Sequence, residues 1–199
     1  MEEAPKLLVH AHGRSVLNEA FRMVRSNLEF FTRNGKDRVV MVTSFNPGSG
    51  KSFISLNLGA ALAVKRKESR ILIIDLDLRR ASLSRIVDNH SRGISDYLSE
   101  AVNDVRTLIQ PTDCEGLFLL PVGTIPPNPS ELLYSDRLQQ LLGMMRAEYD
   151  YVILDCPPVE IVADTTIVTP LADITLFVMR AGLMDRRLLP DLNYIYDTH

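Results

Sequence analysis

A glycine-rich turn ending in a lysine and a serine has the residue types and spacing of a phosphate-binding loop. Residues 44–53 read Ser-Phe-Asn-Pro-Gly-Ser-Gly-Lys-Ser-Phe. In such a loop, backbone N–H groups surround the phosphates, the lysine reaches the terminal ones, and the next hydroxyl contacts Mg²⁺. The sequence therefore predicts a nucleoside triphosphate site, whose cofactor-binding residues are Pro47, Gly48, Ser49, Gly50, Lys51, Ser52 and Phe53.

The loop departs from the general P-loop pattern at one position. That pattern has a glycine five residues before Gly50, where this chain has Phe45. The turn must then be built by residues 47–50. A GxGKS segment alone is a weak indication, so the interpretation also depends on carboxylates elsewhere in the chain.

Two apolar segments of the chain end in aspartate. Residues 71–77 read Ile-Leu-Ile-Ile-Asp-Leu-Asp, and residues 151–155 read Tyr-Val-Ile-Leu-Asp. Ligands of open α/β sheets bind at the carboxyl ends of the strands, and a strand's period of two would point Asp75 and Asp77 to the same side. Asp155 has the Walker B arrangement, which holds Mg²⁺. Three carboxylates beside Lys51 describe a phosphoryl-transfer site.

The pattern of apolar runs predicts the elements that position these residues. Near-continuous apolarity is typical of parallel strands covered on both faces, and it marks five strands: 39–43, 71–75, 117–121, 151–155 and 174–179. Helical segments alternate with them, at residues 14–33, 51–66, 81–87, 95–100, 130–148 and 161–171. The predicted fold class is α/β, a P-loop NTPase-like, doubly wound, mostly parallel sheet with helices on both faces.

Length and composition predict one soluble domain. The chain has 199 residues, which suffice for one sizeable core, and we expect a single domain over 1–199 with residues 1–13 as an N-terminal arm. A net charge of −3 argues against a general nucleic-acid binder. The two cysteines, Cys114 and Cys156, indicate a reducing compartment. No apolar run is long enough to span a bilayer, and the N-terminus does not read as a signal peptide.

The segment from residue 15 to residue 32 has the clearest helical period. One apolar stripe contains Leu17, Phe21, Val24, Leu28 and Phe31, whereas Glu19, Arg22 and Arg25 fall on the other side. Periodicity alone favours a solvated face with one ion pair.

These motifs together resemble the cytoplasmic domain of the bacterial protein-tyrosine kinases (BY-kinases) that control capsule and exopolysaccharide export. The resemblance covers residues 14–185 and includes the PGxGKS loop, the DxDxR segment at Asp75-Leu-Asp77-Leu-Arg79 and the Walker B strand. Residues 126–133, Pro-Pro-Asn-Pro-Ser-Glu-Leu-Leu, are also similar to a family segment. The most specific match is ExxRxxR at Glu19, Arg22 and Arg25, through which family members associate into a ring.

The resemblance implies a role for each matching residue. Catalytic residues would be Lys51, Asp75, Asp77 and Asp155, and Mg²⁺ would be held by Ser52, Asp77 and Asp155. The sequence does not decide whether Asp75 or Asp77 is the base. Asp75 is favoured because it is the aspartate at the end of the predicted strand. The cofactors would be ATP and Mg²⁺, and the acceptor a tyrosine hydroxyl.

The resemblance also implies partners and a location. We expect a ring of copies, a transmembrane activator domain in the same or a separate chain, and protein tyrosine substrates, on the cytoplasmic side of the bacterial inner membrane. By the same resemblance, family members continue with a helix, a strand and a tyrosine-rich tail, which we expect to be absent here, because only Tyr194 and Tyr196 lie near the end.

Two other functions are compatible with the loop. A ParA/MinD-like positioning ATPase transfers the γ-phosphate to water, and its KGGxGK loop has a lysine where this chain has Asn46 and a glycine where it has Pro47. A non-catalytic assembly module would bind nucleotide without chemistry, but the intact Lys51 and carboxylates disfavour it. The kinase is the favoured interpretation.

Overall fold

A six-stranded sheet forms the centre of the computed structural model, which describes residues 4–10, 13–33, 35, 38–87, 92–159, 167–183 and 187. Its strands are β1 (Val39–Ser44), β2 (Ile71–Asp75), β3 (Gln110–Pro111), β4 (Leu117–Leu120), β5 (Tyr151–Asp155) and β6 (Ile174–Val178). Their order is β3-β4-β2-β5-β1-β6. All pairs are parallel except β3 with β4. The five predicted strands are confirmed; β3 has only two residues, one of them a proline, and gave no signal in the sequence.

The described residues also form five α-helices: α1 (Val16–Phe31), α2 (Lys51–Ala63), α3 (Ile94–Leu98), α4 (Pro129–Leu133) and α5 (Asp136–Glu148). Short 3₁₀ turns occur at Leu83–Ile86, Val105–Leu108 and Thr169–Leu171. The single helix predicted over 130–148 is wrong, because Ser135 is extended and starts a new helix. The predicted helix over 81–87 is a 3₁₀ turn, and that over 161–171 lies mostly outside the described residues.

Apolar side chains cover both faces of the sheet, as the fold class predicts. On one face α1 and α2 pack against Val40, Val42 and Ile73; on the other, α3, α4 and α5 pack against Met41 and Ile74. Neighbouring residues of a strand therefore belong to different cores. Of the predicted α1 stripe, Phe21 and Leu28 are buried, whereas Phe31 is 70% exposed.

The N-terminal arm is fastened across α1 and α2 by two asparagines. Asn57 of α2 accepts hydrogen bonds from the N–H groups of Leu8 and Val9 at 2.8 and 3.1 Å and donates to the Lys6 carbonyl at 3.0 Å. Asn18 of α1 accepts from the His10 N–H at 3.1 Å. These hydrogen bonds pair backbone N–H and C=O groups of the extended arm. The side chain of Val9, which belongs to the arm, is buried.

Both cysteine thiols are buried. Cys156 is fully inaccessible and its N–H donates to the Val42 carbonyl at 3.0 Å. Burial raises the pKa of the Cys114 thiol, and raises that of Cys156 well above its ordinary value. Within the described part of the chain, none of the helices is both long and apolar enough to cross a bilayer.

Candidate active site

The phosphate-binding loop is a tight turn between β1 and α2. Gly48 and Gly50 have φ values of +74° and +96°, which side-chain-bearing residues rarely adopt, so the turn is built by residues 47–50 as expected. Gly50 is the N-cap of α2 and provides no side chain to cap it. The first N–H groups of α2 are therefore available to an anion at the helix N-terminus.

Phe45, which replaces the usual glycine, belongs to the core rather than to the turn. Its side chain is buried and its ring lies edge-on to Phe177 of β6, with centroids 5.0 Å apart. The aromatic pair joins the base of the loop to the neighbouring strand. Phe45 therefore does not shape the turn, which is formed by residues 47–50.

Strands β2 and β5 bring two aspartates side by side. Asp75 and Asp155 are register partners at the carboxyl ends of these parallel strands, and both are buried. The Leu76 N–H donates to the Asp155 carbonyl oxygen at 2.9 Å, continuing the pairing past the end of β2. The carboxylates predicted from two distant segments thus lie at the same edge of the sheet.

Asp75 is held by Ser84, a residue outside every sequence motif of the site. The N–H and hydroxyl groups of Ser84 donate to Asp75 Oδ2 at 2.9 and 2.8 Å, and the Asp77 N–H lies 3.2 Å from Oδ1. The Ser84 oxygen in turn accepts from the Val122 N–H at 2.8 Å. Burial and the charge of Asp155 raise the pKa of Asp75 to about 8, although the Ser84 hydrogen bonds oppose the rise.

Asp77 lies beyond the end of β2, so the strand period does not position it. Its Oδ1 accepts from the Arg80 N–H at 3.1 Å, and the Ala81 N–H donates to its carbonyl at 2.8 Å. The side chain is 6% exposed, and its charge affects the pKa values of Lys51 and Asp155. Asp77 therefore joins the cluster through a turn rather than through the strand.

Lys51 and Asp155 form the centre of the cluster. Burial lowers the pKa of Lys51, while the charges of Asp155 and Asp77 raise it. Burial raises the pKa of Asp155 to about 6, against hydrogen bonds from the hydroxyls of Ser52 and Ser55 and the charge of Lys51. Ser55 Oγ lies 2.9 Å from Asp155 Oδ1. Lysine and carboxylates thus share a site with little access to water.

One oxygen of this cluster lacks a hydrogen bond. Asp155 Oδ2 is buried and has no partner among the described residues. Such an atom needs a donor or a cation, since burying it unpaired is costly. In the described part of the chain, no cluster of three or more His, Cys, Asp or Glu side chains has the geometry to hold a metal alone. Mg²⁺ is usually bound by one or two carboxylates together with phosphates and water, so a buried carboxylate beside a phosphate loop is a fitting ligand for it.

The ExxRxxR residues make contacts within the chain. Arg22 forms an ion pair with Glu19 at 2.5 Å and donates to the Gly13 carbonyl at 3.1 Å. Arg25 turns toward α2 and donates to the Ala61 carbonyl at 2.9 Å, and its Nε atom is buried without a partner among the described residues. The two arginines occupy equivalent places in the motif, but Arg22 pairs with a carboxylate of its own helix whereas Arg25 contacts α2.

Two further arginines lie near the phosphate loop and the carboxylates. Arg180 Nη1 donates to the Gly48 carbonyl at 3.2 Å, a contact that no motif predicted. Arg79 of the DxDxR segment lies close to α4, with its Nη2 atom 3.4 Å from Ser130 Oγ. Ser130 belongs to the Pro-Pro-Asn-Pro-Ser-Glu segment, so that segment is next to the aspartate turn.

Comparison with known proteins identifies relatives of this chain. The family model of the AAA domain matches residues 37–182. The tyrosine-protein kinase Wzc of Salmonella typhimurium (strain LT2) is 35% identical over 176 residues, which are 88% of this chain and 24% of that protein. The chain therefore spans about a quarter of the length of this relative.

Solved structures agree with that result. The BceF tyrosine kinase domain is 37% identical with a TM-score of 0.79, and the match covers 90% of this chain and 72% of that one. The kinase domain of the Escherichia coli tyrosine kinase ETK is 34% identical with a TM-score of 0.82, covering 90% and 70%.

Proposed function

The chain belongs to the bacterial protein-tyrosine kinase domains, and on this basis we propose that it transfers the γ-phosphoryl group of ATP to tyrosine hydroxyls. The observation that carries the proposal is the likeness to the BceF kinase domain, at 37% identity over 72% of that domain. A phosphate loop beside three buried carboxylates would serve an ATPase equally well. The named relatives favour a tyrosine over water as the acceptor.

The loop and α2 would bind the nucleotide. The backbone of residues 47–50 supports this role, because its glycines adopt the positive φ values of a phosphate cradle. Lys51 and Ser52 begin α2 and would contact the terminal phosphates. Phe53 follows them and packs against Phe21 of α1, with ring centroids 6.0 Å apart.

Asp155, Asp77 and Ser52 are the proposed holders of Mg²⁺. The unpartnered Asp155 Oδ2 supports this assignment, since it is a buried acceptor beside the loop. A bound Mg²⁺ would neutralise negative charge on the phosphates during transfer. Lys51 would supply further positive charge from the protein itself.

Asp75 is the proposed proton acceptor for the incoming tyrosine hydroxyl. A general base works best when its pKa is close to the working pH, and burial raises the pKa of Asp75 to about 8. The hydrogen bonds from Ser84 hold this carboxylate in one orientation. Asp77, which is slightly more accessible, is then left for the metal.

We further propose that the domain assembles into a ring through Glu19, Arg22 and Arg25 and acts in capsule or exopolysaccharide export. It would do so on the cytoplasmic side of the inner membrane, with a transmembrane activator domain as its partner. In the described chain Arg22 already pairs with Glu19. Association would then exchange this pair for one between subunits.

The test is incubation with γ-labelled ATP, Mg²⁺ and a tyrosine-rich peptide. We expect label on tyrosine in the unchanged protein and none in Lys51→Met or Asp75→Asn. Lys65→Met, at an exposed residue just after the far end of α2, is the matched control and should keep activity. Release of free phosphate without labelled tyrosine would instead support the ATPase and contradict the kinase.

A further inference from the structure

Arg180 lies where the end of β6 meets the phosphate loop. β6 pairs with β1 up to Ser44 and Val178, so the residues after β6 follow the same edge as the loop. The exposed Arg180 side chain crosses to the loop, where Nη1 donates to the Gly48 carbonyl at 3.2 Å. The Phe45–Phe177 ring contact fixes the same two segments at their base.

Alternate carbonyls of the loop accept hydrogen bonds. The Asn46 carbonyl accepts from the hydroxyls of Ser44 and Ser49, each at 2.8 Å. The Gly50 carbonyl accepts from the Ile54 N–H at 2.9 Å, which is a bond of α2. For the Gly48 carbonyl between them, the donor is the side chain of Arg180.

The orientation of the Gly48 carbonyl also decides where the next N–H points. In a trans peptide the C=O and N–H groups point in opposite directions. The Ser49 N–H therefore points away from the guanidinium of Arg180. Glycine allows such a peptide to rotate at little cost, and Gly48 has a φ of +74°. Without Arg180, the described contacts leave this carbonyl free to turn inward.

We propose that Arg180 is a positioning residue that holds the Gly48–Ser49 peptide with the Ser49 N–H directed at the bound phosphates. This inference rests on the nucleotide site proposed above. The loop N–H groups of such a cradle contact the phosphates shared by ADP and ATP. Arg180 therefore acts on the affinity for both nucleotides equally, by fixing the backbone before the nucleotide arrives.

The test measures binding of fluorescent mant-ADP and of a non-hydrolysable mant-ATP analogue to Arg180→Gln and Arg180→Lys. We expect Arg180→Gln to raise both dissociation constants by about five- to tenfold, the effect of one charge-assisted hydrogen bond at an exposed site. Arg180→Lys keeps a cationic donor and should recover most of the affinity. The unfolding temperature without nucleotide should stay unchanged, because the side chain is exposed.

Arg66→Gln is the matched control, since it removes the same charge from an exposed residue that lies just beyond the other end of α2. It should bind both nucleotides like the unchanged protein. Equal affinities of Arg180→Gln and the unchanged protein would overturn the inference. A loss confined to the ATP analogue would also overturn it, because that result assigns Arg180 a direct contact with the γ-phosphate. If the unchanged protein binds neither nucleotide, the proposed function itself is wrong.

Discussion

Asp75 and Asp155 are register partners on adjacent parallel strands, and they bury two carboxyl groups next to each other at the end of the sheet. Burial raises the pKa of both groups, to about 8 for Asp75 and to about 6 for Asp155. Lys51 offsets the charge of Asp155, but a second ionised carboxyl group beside Asp155 is still costly, so Asp75 keeps its proton near neutral pH. A bound cation would lower this cost and favour the ionised form of Asp75.

We predict that the stability of the ligand-free protein falls as the pH rises from 5 to 8. The raised pKa of Asp75 means that the folded state binds more protons than the unfolded state in this window, so rising pH favours unfolding. We expect a loss on the order of 1–3 kcal/mol, and Asp75→Asn should flatten this dependence. Urea unfolding in EDTA at several pH values measures it.

Asp113→Asn is the control for this experiment, because Asp113 is an exposed carboxylate. Its pH dependence should match that of the unchanged protein. An equally steep loss of stability in Asp75→Asn would show that Asp75 does not carry the buried proton.

Ser84→Ala should move the acidic limb of the rate–pH profile to higher pH. Ser84 donates to Asp75 through its hydroxyl, and this bond lowers the pKa of Asp75. Loss of one hydrogen bond corresponds to roughly 0.5–1 pH unit. The measurement is the kcat/KM of peptide phosphorylation against pH, with the exposed Thr107→Val as control. An unmoved limb would assign the base to Asp77 instead.

Asp155→Asn should weaken the effect of Mg²⁺ on nucleotide binding. The unpartnered Oδ2 of Asp155 is the proposed contact of the metal or its water, and an amide is a poorer ligand there. The ratio of the ADP dissociation constants without and with Mg²⁺ measures this effect. We expect this ratio to be about tenfold smaller in Asp155→Asn than in the unchanged protein. Calorimetric titrations of ADP with and without Mg²⁺ measure this difference. An unaltered Mg²⁺ effect would remove Asp155 from the metal site.

Arg22→Ala and Arg25→Ala should differ in stability while both reduce association. Arg25 donates to the Ala61 carbonyl from a partly buried position, so its loss should cost about 1 kcal/mol of unfolding free energy. Arg22→Ala removes the exposed pair with Glu19, worth less than about 0.5 kcal/mol, and a longer hydrogen bond to the Gly13 carbonyl at 3.1 Å. We therefore expect a smaller loss of stability than for Arg25→Ala.

Chemical denaturation gives the stability of the arginine variants, and light scattering gives their mass. Arg66→Ala is the control for both measurements. Unchanged mass in both variants would contradict the ring interface, and equal stabilities would contradict the structural role of Arg25.

The sequence predicted the parts of the site that depend on strand ends. Asp75 and Asp155 each close an apolar run, and parallel strands necessarily bring such ends together. Ser84 and Arg180 were missed because their contacts depend on a 3₁₀ turn and on the path of the chain after β6, which no local pattern encodes. The helix break at Ser135 was missed because leucines continue on both sides of it, although a serine followed by an aspartate is typical of a helix N-terminus.

The burial of both cysteines has a practical consequence for labelling. Only thiolates react readily with maleimides, and burial keeps the thiols of Cys114 and Cys156 protonated as well as inaccessible. A cysteine introduced at the exposed Met23 of α1 would therefore react first in the otherwise unchanged protein. A fluorophore placed there could follow the encounter of two chains without removing either native thiol.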